Sequence, residues 1–355
     1  MEFWTSNVAA PTRSADFARR AEEIGWDGML VVDSQNLSGD PYVCLALGAT
    51  ASTKLGLMTS VTNPVTRHPA VTATSALSVQ KLSGGRMVVG IGRGDSALAY
   101  LGRAPARLKW FEQYLANLQT YLRGDEVSFD ATGIPDSVAP PVDNLGLADA
   151  PTASAITWAG GMAKVPVEVS ATGEKVIGIS ARHADRVMLA LGAERKRLLW
   201  GIEVARRAAT DAGRDPDSVG LGAYVNIVCH DDQDVARELA RAGTGLFARF
   251  SVMHGSVSGP ADEAQQQVFE DLHDRYDMHA HGQRGGSQTT ALTNEFMDRF
   301  AIIGPVDHCV ERLGELIELG VDKFAVTGPN FNVRSPQGRD AAAQFTEGVL
   351  PALRL

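Results

Sequence analysis

Short apolar runs alternate with helical stretches along most of the chain. The runs are almost continuously apolar, as is typical of strands that are covered on both faces, while the stretches between them carry apolar residues near helical spacing. The pattern predicts eight strands, which are Phe3–Val8, Gly28–Asp33, Lys54–Ser60, Arg86–Gly92, Val165–Ser170, Arg186–Leu191, Gly220–Val228 and Asp322–Thr327. Strands that alternate with helices predict an α/β protein with a parallel sheet.

Helices are predicted between these strands. They cover Ser14–Ile24, Pro41–Ala51, His68–Leu82, Glu174–Ala184 and Glu194–Gly213. Eight strands with intervening helices favour a (β/α)8 (TIM) barrel. The main alternative, a doubly wound sheet, needs a glycine-rich turn after its first strand, and this chain has Ala-Ala-Pro there. We therefore predict the barrel.

Two stretches exceed what a minimal barrel needs. Residues 124–164 are rich in Pro, Gly, Asp and Ala with weak periodicity, and residues 251–293 hold a polar helix, Asp262–Met278, between Gly- and Ser-rich flanks. Long insertions at the carboxyl ends of barrel strands build the roof of an active site. We therefore expect one domain over residues 1–355, with both insertions at the catalytic face, where they would set the choice of substrate.

Composition and charge exclude several classes of protein. The 355 residues are 44% hydrophobic, and 33 basic against 42 acidic residues give a net charge of −9, which argues against a general nucleic-acid binder. The amino terminus lacks the basic and apolar regions of a signal peptide, and no apolar run approaches the roughly 18 residues of a membrane span. We therefore expect a cytoplasmic protein with no nucleic-acid or membrane partner.

The spacing of cysteine and histidine gives no metal-binding pattern. Cys44, Cys229 and Cys309 lie too far apart for a zinc motif, and their odd number argues against a secreted disulfide framework. His279 and His281 have no acidic partner at helical spacing, so a solvated loop is the better interpretation. We therefore expect no metal site.

Polar and glycine-rich segments follow three of the predicted strands, at the ends that form the mouth of a barrel. Asp33 ends the second strand, and segment 59–69 leaves the third through a run of hydroxyl side chains. Segment 90–95 follows the fourth, and its glycines would let a backbone approach a ligand closely or cradle an anion. The turn lacks the last glycine of a dinucleotide fingerprint. Each segment also has a purely structural interpretation. Asp33 could cap a loop, segment 59–69 could be an ordinary helix entry, and segment 90–95 could be a structural turn.

Two later turns open helices with small residues. Ala171–Gly173 follows the fifth predicted strand, and Leu191–Ala193 follows the sixth. Free N–H groups at a helix N-terminus form an anion site, and basic residues stand nearby at Lys175 and at 195–197. Ordinary turns between strand and helix are the alternative interpretation.

Together and in this order, the segments resemble the luciferase-like superfamily of flavin- and deazaflavin-dependent barrels, and in particular its coenzyme F420-dependent branch. The specific pieces are Ser60–Pro64, Arg67–Thr72, Ser83–Arg86 and Gly90–Asp95. The match runs from the first strand through the helix after the sixth, and again over Phe300–Thr327. The two insertions do not match in any usable detail.

The resemblance implies roles for individual residues. It places a non-prolyl cis peptide at Ser60–Val61, behind the deazaflavin ring, and it makes Asp95 the candidate acid. Ser34 stands where many relatives carry His. The implied catalytic residues are Asp95, Asp33 and Ser34, and the implied cofactor-binding residues are Asp33, Ser60, Val61, Thr62, Asn63, Gly92, Arg93, Gly94 and, in the phosphate-binding turns, Ala171, Thr172, Gly173, Gly192 and Ala193.

The activity implied by the resemblance is hydride transfer between C5 of F420 and a small organic substrate. The alternative is an FMN-dependent monooxygenase of the same superfamily, which uses O2 and a separate reductase. A third hypothesis is a barrel that has lost its ring site and serves as a carrier. The family commonly forms homodimers, and the apolar helices Pro41–Ala51 and His68–Leu82 suit such an interface.

Overall fold

The computed structural model describes residues 1–131, 133–280, 283 and 285–354. Within these residues, eight parallel strands pair in chain order, and the last pairs with the first to close a barrel. The strands are β1 (Glu2–Asn7), β2 (Gly28–Val31), β3 (Gly56–Thr59), β4 (Met87–Ile91), β5 (Val167–Ala171), β6 (Arg186–Leu189), β7 (Gly220–Cys229) and β8 (Lys323–Thr327). The predicted (β/α)8 barrel is confirmed.

Helices surround the barrel. The longer ones are α1 (Pro11–Ile24), α2 (Pro41–Ala51), α3 (Pro69–Ser83), α4 (Leu108–Arg123), α5 (Glu174–His183), α6 (Arg195–Asp211), α7 (Gln233–Ala248), α8 (Glu263–Asp274), α9 (Asn294–Phe300), α10 (Val306–Glu318) and α11 (Pro336–Gln344). Short helices cover Ser96–Ala99 and Leu350–Ala352, and a short strand, Ile302–Gly304, pairs with the end of β7. Among the described helices, none combines the length and the apolar character that crossing a bilayer requires.

Local chemistry explains where the helices begin and end. Helix α1 begins three residues before its predicted start, because Pro11 occupies the first turn, where its missing N–H costs nothing. It ends at Gly25, whose φ of +99° is left-handed and favours glycine. The Asp40 side chain caps α2 by accepting hydrogen bonds from the N–H groups of Tyr42 and Val43.

An ion pair fills the amino-terminal end of the barrel. Lys323, the first residue of β8, is 1% exposed; its Nζ donates to Oε1 of Glu168 on β5 at 2.8 Å and lies 3.6 Å from the centre of the Trp4 ring. Burial lowers the pKa of Lys323, and the Glu168 carboxylate opposes that shift. Arg186 on β6 donates to the same Glu168 oxygen at 3.3 Å. Side chains therefore fill the amino-terminal end of the barrel, and a binding site is expected at the carboxyl ends of the strands.

The first insertion differs from the prediction, because residues 124–164 do not roof the catalytic face. They follow α4 and precede β5, so they connect a helix to the next strand, whereas the active-site loops of a barrel connect strands to helices. The segment packs on the outside of α3 and α4: Ser154 bonds Tyr121 at 2.9 Å, and the Trp158 ring lies 5.9 Å from Nζ of Lys81.

The described residues of the second insertion, 251–280, 283 and 285–293, do lie at the catalytic face. The insertion follows α7 and contains α8, which ends at Asp274, four residues before the predicted Met278. The guanidinium of Arg197 on α6 anchors it by donating to the carbonyls of Pro260 at 2.6 Å and Ser258 at 2.8 Å. Burial lowers the pKa of Arg197 to about 10. His281 lies outside the described residues.

Candidate active site

A cavity of about 310 Å³ opens at the carboxyl ends of the strands, within the usual size range of small-molecule sites. Polar residues and glycines that follow β2 to β5 line one side of it, and apolar side chains from the end of α7 and the start of the second insertion line the other. The predicted site residues in this lining are Asp33, Ser34, Ser60, Val61, Asn63, Gly92, Arg93, Gly94, Asp95, Thr172 and Gly173.

The end of β3 places Ser60 and Val61 against the aromatic side of the cavity. The Ser60–Val61 peptide bond is cis, as the resemblance implied. The Oγ of Ser60 lies 3.2 Å from the Tyr224 hydroxyl, and the Tyr224 ring stacks on Phe247 with centroids 5.7 Å apart. Burial raises the pKa of Tyr224, so its hydroxyl stays protonated. This contact joins the floor of the cavity to its apolar roof.

Asn63 offers a buried hydrogen-bond donor to a ligand. The residue is 1% exposed, and its Oδ1 accepts from the N–H groups of Val65 at 3.0 Å and Thr66 at 3.1 Å. Its Nδ2 has no partner within the described part of the chain. A buried donor is rarely left unpaired in a native protein. The carboxamide of Asn63 is therefore a strong candidate to bind a polar edge of a ligand.

The glycine turn after β4 lies close against the end of β3. A Cβ on Gly92 would lie 3.1 Å from Cγ2 of Val61, and one on Gly94 would lie 2.6 Å from Leu98. Gly94 also has a φ of +91°, which disfavours any other residue. Side chains are thus excluded here, so that the backbone can approach a flat ligand.

Asp33 and Ser34 each contact a side chain of a neighbouring segment, Arg67 and Ser96 respectively. Arg67 donates to Oδ2 of Asp33 at 2.5 Å and to Oδ2 of Asp40 at 2.8 Å, and its guanidinium lies 5.3 Å from the centre of the Tyr42 ring. Burial lowers the pKa of Arg67, but the two carboxylates outweigh it and the net shift is upward. The Oγ of Ser34 lies 3.0 Å from Oγ of Ser96. Arg67 thus offsets the charge of Asp33 at the cavity wall.

Asp95 also lines the cavity and is paired. Its Oδ2 accepts a hydrogen bond from Nη1 of Arg249 at 2.5 Å. Arg249 follows α7 directly, so this pair bridges the glycine turn and the roof. The guanidinium stabilises the charged carboxylate. Asp95 therefore presents to the cavity a carboxylate that a guanidinium holds in place.

The two turns predicted to bind an anion differ in whether they line the cavity. Thr172 and Gly173 line the cavity, and α5 starts at Gly173 without a side-chain cap. By contrast, the N–H of Ala193 donates to the Phe300 carbonyl at 2.7 Å, and a Cβ on Gly192 would meet the same residue at 2.7 Å. The second turn therefore packs on α9 and is not part of the cavity lining.

Two other predicted residues lie behind the lining. Thr62 is fully buried, and its backbone bonds Gly90 and Gly92 of the neighbouring strand and turn at 3.0 Å each. Ala171 is the last residue of β5 and is also buried. Neither residue is part of the cavity lining, and both lie directly beneath residues that are.

The second insertion was expected in the roof and contributes Met253 and His254, whereas the roof residues that precede it were not predicted. The roof is formed by Leu246, Phe247, Phe250, Met253 and His254. Phe247 lies in the last turn of α7 and Phe250 three positions later in the short 3-10 turn that follows, and their rings meet edge to face at 5.7 Å. That spacing is typical of two side chains on one face of a helix, and it was the sequence signal from which this part of the roof could have been found.

His254 of the roof contacts Arg93 of the glycine turn. Its Nε2 lies 3.4 Å from Nη1 of Arg93, and burial lowers the pKa of Arg93.

Among the residues that the structure describes, no group of three His, Cys, Asp or Glu side chains could hold a metal ion. The cavity instead combines a narrow glycine-bounded floor, an unpaired amide donor, a helix N-terminus and an aromatic roof. The sequence model of the luciferase-like monooxygenase family matches residues 4–323. The chain belongs to this family. The family predicted from the sequence is thereby confirmed.

Proteins that are similar to this chain in sequence or in fold carry reductase and dehydrogenase names. The 5,10-methylenetetrahydromethanopterin reductase of Methanolobus tindarius is 27% identical over 89% of this luciferase-like chain and 90% of its own. The coenzyme F420 dependent tetrahydromethanopterin reductase of Methanopyrus kandleri superposes with a TM-score of 0.74 at 20% identity, over 99% of both chains. An F420-dependent secondary alcohol dehydrogenase superposes with a TM-score of 0.71 at 18% identity, over the whole of both chains.

Proposed function

We propose that this protein is an F420-dependent oxidoreductase that moves a hydride between C5 of the deazaflavin and a small organic substrate. Relatives that match along nearly their whole length support the proposal, since they carry reductase names, and the two structural neighbours are named as F420-dependent. The observation that carries it in this chain is the unpaired Nδ2 of Asn63 beside the glycine turn.

The residues present fit such a cofactor. The glycines keep side chains off the turn beside Val61, so that a flat ring can lie against its backbone, and Asn63 provides a donor for a ring carbonyl. The uncapped N-terminus of α5 at Gly173 suits a phosphate, because its free N–H groups point outward along the helix dipole. Arg93 adds positive charge to the same lining.

The chain's own residues would bind, orient and protect the reactants. When bound, F420 supplies a ring carbon that takes up or releases a hydride with its two electrons. Phe247 and Phe250 cover the cavity and exclude water. Asp95 handles the accompanying proton: it takes the hydroxyl proton when an alcohol becomes a carbonyl, and it returns a proton to the oxygen in the reverse reaction.

Equilibrium titrations with oxidised F420 and with FMN test the cofactor. We expect F420 to bind more tightly by at least about tenfold, or about 1.4 kcal/mol, and its affinity to fall between low and high salt because charged groups attract its anionic tail. Gly92→Val should weaken F420 binding by a similar factor, since its side chain would crowd Val61 at the end of β3 and displace it.

Gly314→Val is the matched control, because a Cβ there meets nothing within 4 Å. It should leave the F420 affinity unchanged. Tighter binding of FMN than of F420 would overturn the proposal in favour of an O2-using monooxygenase. Binding of neither would overturn both functions and favour a carrier.

We also propose that the chain forms a homodimer through α2 and α3. Apolar side chains are exposed on both helices: Val43 is 51% and Leu47 36% exposed on α2, and Val71 is 52% exposed on α3. The two helices pack side by side, so these residues form one apolar surface.

Sedimentation of the double variant Val43→Asp, Leu47→Asp tests the dimer. We expect the wild-type protein to sediment as a dimer and the variant as a monomer at the same concentration, because two carboxylates would be buried in the interface. A wild-type monomer would refute the proposal, and so would a variant that remains dimeric.

A further inference from the structure

We propose that Arg249 is the positioning residue of Asp95, and that the second insertion holds Arg249 in place through Tyr276. The inference rests on the proposed function, since it concerns the carboxylate assigned to proton transfer. It gives the second insertion a role in catalysis through a residue that does not line the cavity.

The contact between Arg249 and Asp95 is short and sheltered. Nη1 of Arg249 lies 2.5 Å from Oδ2 of Asp95, and the two side chains are 14% and 17% exposed. Ion pairs that are mostly shielded from water are screened by salt much less than surface pairs. The Asp95 side chain does not cap the helix Ser96–Ala99 that it precedes. Among the described residues, Arg249 therefore supplies the hydrogen bond that fixes this carboxylate.

Tyr276 holds the other side of the guanidinium. The Arg249 guanidinium carbon lies 4.3 Å from the centre of the Tyr276 ring, well within the range of a cation–π contact. Burial, opposed by Arg249, raises the pKa of Tyr276 to about 12, so the ring stays neutral. Close by, the Tyr100 hydroxyl donates to the Met278 carbonyl at 3.0 Å. The insertion thus contacts the segment after β4 directly through Met278, and indirectly through Tyr276 and Arg249.

This geometry gives Asp95 and Arg249 different functions. Asp95 lines the cavity, whereas Arg249 lies behind it and acts through Asp95. The single bond to Oδ2 leaves Oδ1 of Asp95 without a partner in the described chain, so that oxygen is open to a substrate hydroxyl. Loss of Arg249 would let the carboxylate rotate, and misplacement of a catalytic group by about 1 Å can cost roughly 100-fold in rate.

Kinetics of Arg249→Met test the positioning role. The assay follows F420 turnover with a panel of small secondary alcohols and their ketones. We expect kcat to fall about 100-fold while the F420 dissociation constant stays within about twofold. Added guanidinium ion should restore part of kcat, whereas urea of the same shape and no charge should not. In an Asp95→Asn background, Arg249→Met should cause little further loss, because coupled residues are not additive.

Arg237→Met is the matched control. Arg237 lies on α7 and pairs with Asp298 at 2.7 Å, away from the cavity lining. It should leave kcat unchanged with or without guanidinium. An Arg249→Met variant with wild-type kcat, or with a loss that adds fully to that of Asp95→Asn, would overturn the positioning role while the proposed function stands.

A crystal structure of the wild-type protein and of Arg249→Met provides a readout that needs no substrate. We expect Asp95 to adopt one conformation against Arg249 in the wild type and to leave it in the variant. An unchanged Asp95 in the variant would refute the inference. Absence of any F420 binding by the wild type would instead remove the proposed function, and the catalytic role of Arg249 with it.

Discussion

Asp95→Asn is expected to lower kcat by between about 100-fold and 10,000-fold, the usual contribution of a positioned acid or base. The amide keeps the size of the side chain and can still accept a hydrogen bond from Arg249, but it cannot take up the substrate proton. F420 affinity should change by less than about twofold, since Asp95 would act on the substrate. Stopped-flow measurement of F420 reduction and an equilibrium titration measure the two quantities separately.

Asp298→Asn is the control for this experiment. Asp298 also pairs with an arginine of α7, Arg237, but it is absent from the cavity lining. It should leave kcat and F420 affinity unchanged. Wild-type turnover by Asp95→Asn with unchanged F420 affinity would show that Asp95 does not move the proton, and Ser34 or water would then have to supply it.

The barrel could be predicted because its strands are buried on both faces, and such strands consist of continuous runs of apolar residues. Composition and weak periodicity also marked residues 124–164 as an insertion. Its position was predicted wrongly because no helix was predicted before it, although Phe111, Leu115, Leu118 and Leu122 recur at helical spacing. The end of α4 at Arg123 places this segment after a helix, on the outer side of α3 and α4.

The floor of the site could be predicted because its residues are consecutive in sequence. Ser60–Asn63 and Gly92–Asp95 follow two neighbouring strands, and the fold brings their ends together. The turn at Gly192 looked equivalent in sequence, but Phe300 packs on it from more than 100 positions away. Local sequence holds no signal of such a contact.

The partners of the Asp95 and Asp33 carboxylates could not be predicted either, because they are also distant in sequence. Arg249 is 154 positions from Asp95, and Arg67 is 34 positions from Asp33. Sequence placed both carboxylates at the mouth of the barrel, and only the closed fold shows that each one meets a guanidinium. The roof residues Phe247 and Phe250 show a helical spacing that is also typical of an ordinary packed helix face.

Lys323→Met is expected to be the most destabilising substitution at the closed end of the barrel. Removing one partner of a buried ion pair costs about 3 to 5 kcal/mol, because the other charge is left unpaired. Here Arg186 still donates to Glu168, so we expect the lower value, about 3 kcal/mol. For a chain of this length, that corresponds to a fall of about 4 °C in Tm, measured by calorimetry.

The double variant Glu168→Gln, Lys323→Met separates lost pairing from lost packing. It removes the unpaired charge and leaves Arg186 an acceptor, so it should recover at least half of the lost stability, since replacing both charges of a buried pair is often close to neutral. A double variant as unstable as Lys323→Met would show that the lysine stabilises the barrel through its contact with Trp4. Because Lys323 lies at the end opposite the cavity, kcat of the folded single variant should match that of the wild type.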